Sequence, residues 1–292
     1  MVRRIIKILL ITAIITVAWF FLVSFFAYYN VTHPRQTDYT ITPDNYNVIY
    51  EDVYFQTEDN LRLDGWFIPA TEDVVGTVVV MHGYPANKAD ALNWSLFLRK
   101  KFNVLLFDFR YFGKSEGEFT TLGWNEKKDL KAAIDYLNTR SDVDPEKIGV
   151  MGFSMGGAVG IMQGSVDPRI KAIVADSAYA SLDLLVNNMF TKFGFLQKPM
   201  IWSLEQWAHW RIGIKPSDVS TINAATQSKT PLLLIHGTAD QEIPVEHSRQ
   251  IFEVSKGNSE LWEIEGADHG EAYFNEKTLY EAKVIRFFEK NL

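Results

Sequence analysis

The chain has 292 residues, of which 47% are hydrophobic and 22% charged, so it can bury one large core or two modest ones. It contains no cysteine, which excludes disulfides, thiolate metal sites and a cysteine nucleophile. The net charge of −7, left by an acidic chain that follows a basic N-terminal end, argues against nucleic acid as a partner.

The first element in chain order is a long apolar segment. From Ile8 to Tyr29 no residue is charged, and as a helix this segment would extend for about 33 Å, close to the hydrocarbon thickness of a bilayer. Arg3, Arg4 and Lys7 precede it, so the positive-inside rule predicts a cytoplasmic N-terminus. We therefore expect residues 1–29 to form a basic end and a single-pass anchor in the cell membrane, with the remaining chain on the extracytoplasmic side.

Two alternatives exist for this segment. A cleaved signal peptide has a shorter apolar run and a small-residue cleavage site, which is not found here. A buried core helix is normally amphipathic, whereas this segment is apolar on every face.

A polar segment and a β-hairpin follow. Residues 30–46 are polar and contain two prolines, which is typical of a tether. The β-rich runs 47–56 and 61–68 flank a turn at residues 58–60 and predict an antiparallel hairpin at a sheet edge. The folded domain is expected to occupy residues 47–292.

From residue 74 onward, short apolar strands alternate with helices. The predicted strands cover residues 74–81, 104–107, 148–151, 170–175, 232–235 and 261–264. The predicted helices cover residues 89–100, 124–139, 155–164, 245–254 and 278–289. This alternation predicts an α/β protein with a doubly wound, mostly parallel sheet that carries its functional groups at the carboxyl ends of the strands.

The strand near residue 150 leads into the sequence Gly-Phe-Ser-Met-Gly at residues 152–156. Ser154 thus falls on a strand-to-helix turn with a glycine two positions away on each side, which is the pattern of a nucleophile elbow. The turn lifts the hydroxyl above the sheet and sets the Met155 amide at a helix N-terminus beside it. Ser154 is the predicted nucleophile.

A serine nucleophile needs a base to take its proton and an acid to orient that base. Of six histidines, His269 lies between the last strand and the final helix and is the predicted base. Asp240, in a glycine-containing loop after the strand 232–235, is the predicted acid. Asp176, at the end of the preceding strand, is the alternative acid.

The tetrahedral intermediate of acyl transfer also needs two amide donors for its oxyanion. The Met155 amide is the first of them. The second is expected from Tyr84, because Gly83 lets the chain turn after the strand 74–81. His82 in the same loop is expected to be structural.

A long insertion interrupts the alternation between Asp176 and Pro231. It is rich in aromatic residues and far longer than the usual connection of about 2 to 6 residues plus one helix. We expect a helical cap over about residues 177–230 that walls an apolar pocket; an ordinary helical excursion packed on the core is the alternative. The predicted pocket residues are Phe190, Phe193, Trp202 and Trp207.

Residues 47–292 resemble the α/β-hydrolase fold family, and in particular a bacterial membrane-anchored branch described as uncharacterised serine hydrolases or lysophospholipase-like proteins. The segments that carry the resemblance are His82-Gly83-Tyr84, Asp108 to Ser115, Asp144-Pro145, Ala175-Asp176-Ser177 and His236 to Pro244. Tyr111 departs from the pattern, because this branch usually has glycine after the arginine. Arg110 and Ser115 are expected to hold this loop beside the oxyanion turn.

These features predict a membrane-tethered serine hydrolase that cleaves acyl esters through an acyl-enzyme intermediate, as a carboxylesterase or lysophospholipase does. Its expected partners are a small apolar acyl substrate and, through residues 8–29, the lipid bilayer; no metal or organic cofactor is expected. A serine peptidase or aminopeptidase on the same fold is the first alternative. A non-catalytic binding module is the second, although such proteins typically lose a triad residue.

Overall fold

The computed structural model of the protein describes residues 1–39 and 41–292; Thr40, in the predicted tether, lies outside the described residues. Eight strands lie within the described ranges: β1 (Glu51–Gln56), β2 (Arg62–Ile68), β3 (Gly76–Met81), β4 (Phe102–Phe107), β5 (Ile148–Phe153), β6 (Ile170–Asp176), β7 (Leu232–Gly237) and β8 (Ser259–Ile264). They form one sheet in the order β1-β2-β4-β3-β5-β6-β7-β8. β1 to β2 and β2 to β4 pair antiparallel, and the other neighbours pair parallel. The predicted hairpin and the doubly wound, mostly parallel sheet are confirmed.

The chain reverses its direction across the sheet at β3. It moves from β3 to β4 on one side and returns to β5 on the other, so that Met81 of β3 pairs with Gly152 of β5. Ligands of doubly wound sheets bind at the carboxyl ends of the strands at such a reversal. Gly83 and Ser154, which follow these two strands, meet there.

Helices cover both faces of the sheet. They are α1 (Val2–Thr32), α2 (Lys88–Ser95), α3 (Glu126–Leu137), α4 (Met155–Gly164), α5 (Leu182–Phe190), α6 (Gln197–Ile212), α7 (Thr221–Gln227), α8 (Glu246–Ser255), α9 (Ala272–Asn275) and α10 (Lys277–Asn291). On one face, Val79 and Val150 share a core cluster with Leu130 of α3. On the other face, Val80 clusters with Phe288 of α10. Burial of apolar surface on both faces fixes the strands that carry the site.

One predicted helix is only partly α-helical. The element expected at residues 89–100 is α-helical only to Ser95 and continues as a 3-10 helix over Leu96–Lys100. The Ser95 hydroxyl donates to the carbonyl oxygen of Ala91 over 2.7 Å. Serine bonds of this kind compete with the regular helical pattern and often bend a helix, which is consistent with the change at this residue.

The insertion between β6 and β7 is the helical cap. It contains α5, a 3-10 helix over Thr191–Leu196, α6 and α7. Its two ends meet, because Ser181 and Ser220 form an isolated β-bridge and the Leu182 amide donates to the Val219 carbonyl oxygen over 2.9 Å. The cap is therefore a closed excursion from the carboxyl edge of the sheet.

Helix α1 is long and apolar enough to cross a membrane, and its last third packs against α6 of the cap. The hydroxyls of Ser24 and Ser203 lie 2.6 Å apart. The indole nitrogen of Trp207 donates to the Phe21 carbonyl oxygen over 3.2 Å. The helix thus ends on the folded domain.

The segment after α1, within the predicted tether, also contacts the domain. The hydroxyl of Tyr39 donates to the Asp108 carboxylate, which also accepts from the buried Lys88. The hydroxyl of Tyr111 donates to the Pro34 carbonyl oxygen over 2.8 Å. Tyr111 has a φ of 72°, so it keeps the left-handed turn for which glycine is usual and gains this contact through its side chain.

Candidate active site

Ser154 sits on a tight turn between β5 and α4. Its φ of 53° and ψ of −115° lie outside the regions that residues with a side chain normally adopt. A Cβ at Gly152 would lie 2.2 Å from the carbonyl carbon of Gly156, so only glycine allows the strand and helix to approach this closely. The Ser154 amide donates to the Asp176 carbonyl oxygen over 2.7 Å and ties the turn to β6. This is the backbone geometry of a nucleophile elbow.

His269 and Asp240 form a hydrogen-bonded pair beside the elbow. They follow β8 and β7, which are neighbouring parallel strands, so their loops meet at one edge of the sheet. His269 Nδ1 donates to Asp240 Oδ2 over 2.7 Å. Asp240 Oδ1 accepts from the amides of Glu242 and Ile243 over 3.0 and 2.8 Å. The carboxylate is thus fixed, and Nε2 is the imidazole nitrogen that remains for proton transfer.

A second histidine, His236, contacts the Asp240 carboxylate. The sequence analysis did not predict this contact. His236 is fully buried, and its Nε2 lies 3.2 Å from Asp240 Oδ2 and 2.7 Å from the Ile243 carbonyl oxygen. Its Nδ1 accepts from the hydroxyl of Ser248 over 2.6 Å. The position of His236 at the end of β7, four residues before Asp240, is the sequence signal that could have indicated this contact.

These contacts shift the pKa values of the acid and the base in opposite directions. Burial alone would raise the pKa of Asp240, but hydrogen bonds from His236 and His269 lower this pKa well below its ordinary range. Burial alone would lower the pKa of His269, but the hydrogen bond to Asp240 and the charges of Asp240 and Glu242 raise this pKa above its ordinary 6.5. Asp240 is therefore ionised at neutral pH and stabilises a protonated His269.

Ser154 and His269 line one cavity of about 780 Å³. Among the described residues no hydrogen bond joins their side chains, and such bonds are often long before a substrate is bound. The ring of Phe153 packs against the imidazole with 4.8 Å between the ring centroids. A carbonyl group in this cavity has access to both side chains.

Gly83 brings the loop after β3 against the elbow. A Cβ at Gly83 would lie 3.2 Å from Ser154 Cβ and 2.8 Å from the Phe153 ring. Tyr84 and Met155 line the cavity together with Ser154. The hydrogen bonds among the described residues leave the Tyr84 and Met155 amides without a protein acceptor. Two such amides can donate to an oxyanion.

The structural role expected for His82 is confirmed, whereas Arg110 holds its loop on α3 and not beside the loop after β3. His82 Nδ1 donates to the Gly83 carbonyl oxygen over 2.7 Å, and its Nε2 accepts from the Phe109 amide over 3.1 Å. Arg110 donates to both carboxylate oxygens of Asp129. The His82 contacts join the loop after β4 to the loop after β3, whereas the Arg110 contacts join the loop after β4 to α3.

Asp176, the alternative acid, has other partners. Its carboxylate accepts from the hydroxyls of Tyr280 and Ser177 over 2.8 and 3.0 Å. Burial raises the pKa of Asp176. Asp240 is therefore the carboxylate that holds His269. Within residues 1–39 and 41–292, no group of three or more histidine, aspartate or glutamate side chains is arranged to hold a metal ion.

The cavity differs in part from the predicted pocket. Its lining includes Phe190 but not Phe193, Trp202 or Trp207. Both tryptophans instead contact Phe21 of α1, with ring centroids 5.9 Å away for Trp202 and 6.4 Å away for Trp207. The aromatic face of α6 therefore packs on the N-terminal helix and does not face the cavity.

Helix α1 itself contributes to the cavity, which the sequence analysis also missed. Tyr28, Val31 and Thr32 line it together with Leu204 and Ala208 of the cap. The sequence analysis placed Tyr28 within the expected membrane anchor. No periodic signal distinguishes this end of α1, because the whole segment is apolar.

The comparisons with known proteins agree with this geometry. The sequence pattern of the prolyl oligopeptidase family matches residues 95–292. The uncharacterized protein YfhR of Salmonella typhi is 32% identical over 99% of this chain and 97% of its own length. The alpha/beta hydrolase domain-containing protein WAV2 of Arabidopsis thaliana is 27% identical over 86% of this chain and 82% of its own length.

A solved structure with a similar fold is the esterase Pf2001 of Pyrococcus furiosus. It is 32% identical to this chain and has a TM-score of 0.74, over 88% of this chain and 98% of the esterase. The family match covers more than half of the chain and includes the elbow and both loops that carry His269 and Asp240. The chain therefore belongs to the prolyl oligopeptidase family and is a hydrolase with the α/β-hydrolase fold.

Proposed function

We propose that the protein is a membrane-anchored serine hydrolase that cleaves acyl esters. Ser154 Oγ attacks the acyl carbon while His269 Nε2 takes its proton, and Asp240 keeps the Nδ1 proton on the imidazole. Protonated His269 then donates to the departing alkoxide, which leaves the acyl group on Ser154. Water attacks this acyl-enzyme with His269 as base, and the acid is released as the proton returns to Ser154.

The amides of Tyr84 and Met155 are the proposed oxyanion donors. One follows β3 and the other is at the start of α4, and both residues line the cavity with Ser154. Each such donor contributes about 10²-fold to 10³-fold in rate, because it is aimed at the position where negative charge develops.

The hydrogen bond between His269 and Asp240, on the cavity that Ser154 lines, is the observation that carries the proposal. It gives the imidazole the tautomer and the raised pKa that a base for serine needs. The apolar lining from the cap supports an acyl substrate, and the similarity to an esterase supports an ester bond.

We expect the protein to hydrolyse p-nitrophenyl acyl esters much faster than aminoacyl p-nitroanilides. The p-nitrophenolate of these esters leaves more readily than the p-nitroaniline of the anilides, and the cavity offers apolar contacts to an acyl chain. Initial rates with matched ester and anilide panels measure this preference. Faster turnover of the anilides would replace the esterase proposal with the peptidase alternative.

One observation favours an aminopeptidase as the second candidate. The exposed carboxylate of Glu242 lies at the rim of the cavity, 4.0 Å from His269 Nε2. A carboxylate there can pair with the free amino group of a peptide. The Glu242→Gln variant tests this role, because it should raise the KM for an aminoacyl anilide and not for a neutral ester.

The length and charge pattern of α1 support the membrane anchor. The helix has one basic end, with Arg3, Arg4 and Lys7, and an exposed apolar surface. This arrangement favours a cytoplasmic N-terminus and a catalytic domain on the opposite side of the cell membrane.

The activity is expected to rise with pH, and the midpoint of this rise should lie above about 6.5, the ordinary pKa of histidine. Only the neutral imidazole accepts the serine proton, and Asp240 and Glu242 raise the pKa of His269. The pH dependence of kcat/KM for a neutral ester measures the midpoint. Glu242→Gln should move the midpoint to lower pH, whereas Glu253→Gln on the exposed face of α8 should not; an unshifted midpoint in the first variant would contradict the assignment.

A further inference from the structure

The final third of α1 has a buried stripe. Ser24, Tyr28 and Thr32 are buried at a spacing of four residues, which is one face of a helix. Their partners belong to the cap and to the loops around the site. By contrast, every residue from Ile8 to Trp19 is exposed. The helix therefore has an unpartnered part and a part that is packed into the domain.

The unpartnered part is too short to cross a bilayer alone. Its residues from Ile8 to Trp19 rise by about 18 Å, against a hydrocarbon thickness of about 30 Å. Lys7 ends this stretch on one side, and the contacts of Phe21 with Trp202 and Trp207 end it on the other. If α1 spans the membrane, the remaining hydrocarbon thickness of about 12 Å must be crossed by the part of α1 against which α6 packs.

The outer surface of the cap has the composition of a membrane interface. Trp202 and Trp210 on α6 are 53% and 62% exposed, and Phe195 is 91% exposed. Trp202 contacts Phe21, so this apolar surface continues directly from the surface of α1. Tryptophan is enriched where proteins meet the headgroup region of a bilayer.

The same two elements contribute to the lining of the cavity that Ser154 and His269 share. Tyr28 and Val31 of α1 line it together with Leu204 of α6, and Met189 is both part of the lining and 56% exposed. The apolar lining therefore reaches the outer surface of the cap.

We propose that the cap is immersed in the membrane leaflet on the side of the catalytic domain, and that the cavity takes long-chain acyl esters directly from the lipid. The acyl chain lies along Tyr28, Val31 and the cap, with the ester carbonyl at Ser154. The substrate class rests on the proposed hydrolysis of esters, whereas the depth of the cap rests only on the proposed membrane anchor.

The depth of the cap in the bilayer is tested with spin labels attached to single introduced cysteines, because the natural chain has no cysteine. Phe195→Cys and Trp210→Cys report on the cap. Val166→Cys is the control, since Val166 is 71% exposed and follows α4 at the amino edge of the sheet, opposite the cap. The full chain is labelled with a nitroxide and reconstituted into phosphatidylcholine and phosphatidylglycerol vesicles.

Dissolved oxygen should relax the labels on the two cap variants more strongly than a water-soluble nickel chelate does. The chelate should relax the label on the control more strongly than oxygen does. Equal access of the chelate to all three would overturn the proposal. This measurement involves no hydrolysis, so it is independent of the proposed enzymatic activity.

The contact with the acyl chain is tested with Val31→Trp, which narrows the cavity from the side of α1. The ratio of palmitoyl to butyryl p-nitrophenyl ester turnover in the same vesicles should fall by about tenfold or more. Val23→Trp, on the exposed face of α1, is the matched control and should keep the ratio of the natural chain. Equal losses for both esters in Val31→Trp would overturn this contact, and failure of a fluorophosphonate probe to label the natural chain would instead overturn the proposed function.

Discussion

Ser154→Ala is expected to lower acyl-ester hydrolysis by at least about 10⁴-fold and to abolish labelling by a fluorophosphonate probe. The substitution removes the attacking oxygen, and among the described residues that line the cavity no other hydroxyl stands at a strand-to-helix turn of this kind. Only the catalysis that the oxyanion donors and binding supply remains. Turnover of p-nitrophenyl butyrate and labelling in the same preparation measure the two effects.

Ser177→Ala is the matched control for this experiment. Ser177 also follows a strand, is buried and has a φ of 53°, but its hydroxyl donates to Asp176 and does not line the cavity. This variant should keep probe labelling. If Ser154→Ala folds normally and hydrolyses the ester at the rate of the natural chain, Ser154 is not the nucleophile and the proposed mechanism is wrong. If the probe labels no residue of the natural chain, the binding-module alternative gains support.

Asp240→Asn is expected to lower kcat/KM by about 10⁴-fold. Two histidine nitrogens face Asp240 Oδ2, at 2.7 Å from His269 and 3.2 Å from His236. An asparagine amide placed there donates to His269 Nδ1 and moves the imidazole proton to Nε2, where it blocks acceptance of the serine proton. The measurement is kcat/KM for a neutral ester, with circular dichroism as the check on folding.

Asp176→Asn is the control for Asp240→Asn, because it removes the other buried carboxylate near the site. Its oxygens bind Tyr280 and Ser177, and an asparagine keeps an oxygen for one of them. We expect less than about a tenfold loss. A larger loss for Asp176→Asn than for Asp240→Asn would show that Asp176, and not Asp240, is the catalytic acid.

The sheet and the elbow could be predicted from the sequence because their signals are local. The strand before Gly152 is buried on both faces and therefore wholly apolar. The close approach of the turn to α4 requires glycine at Gly152, and a Cβ at Gly156 would lie only 2.6 Å from the Met81 carbonyl oxygen. The pairing of His269 with Asp240 followed from the order of two loops on neighbouring strands. These predictions needed no knowledge of distant packing.

The lining of the cavity could not be predicted in the same way. Trp202 and Trp207 are aromatic residues on a helix, but their partner Phe21 lies about 180 residues away, inside a segment that is apolar on every face. A uniformly apolar helix carries no periodic signal for the side that meets protein. The sequence therefore indicated that the cap has apolar contacts but not with which element.

Tyr111 and His236 show two further limits. The departure at Tyr111 from the usual glycine was visible, but its compensation by the hydrogen bond to Pro34 depends on where α1 ends. His236 looked like an ordinary strand-end histidine, and its position against Asp240 follows from the path of the loop between them.

The packing of α1 on the cap has an evolutionary consequence. A simple anchor tolerates exchange among apolar residues, because lipid makes few geometric demands. From Phe21 to Thr32, however, this helix is held to the fold by paired hydroxyls, an indole donor and edge-to-face aromatic rings. Mutational drift should therefore be fast over residues 8–19 and slow over residues 21–32, so that a single helix carries the substitution record of a membrane span in its first part and of a protein core in its last.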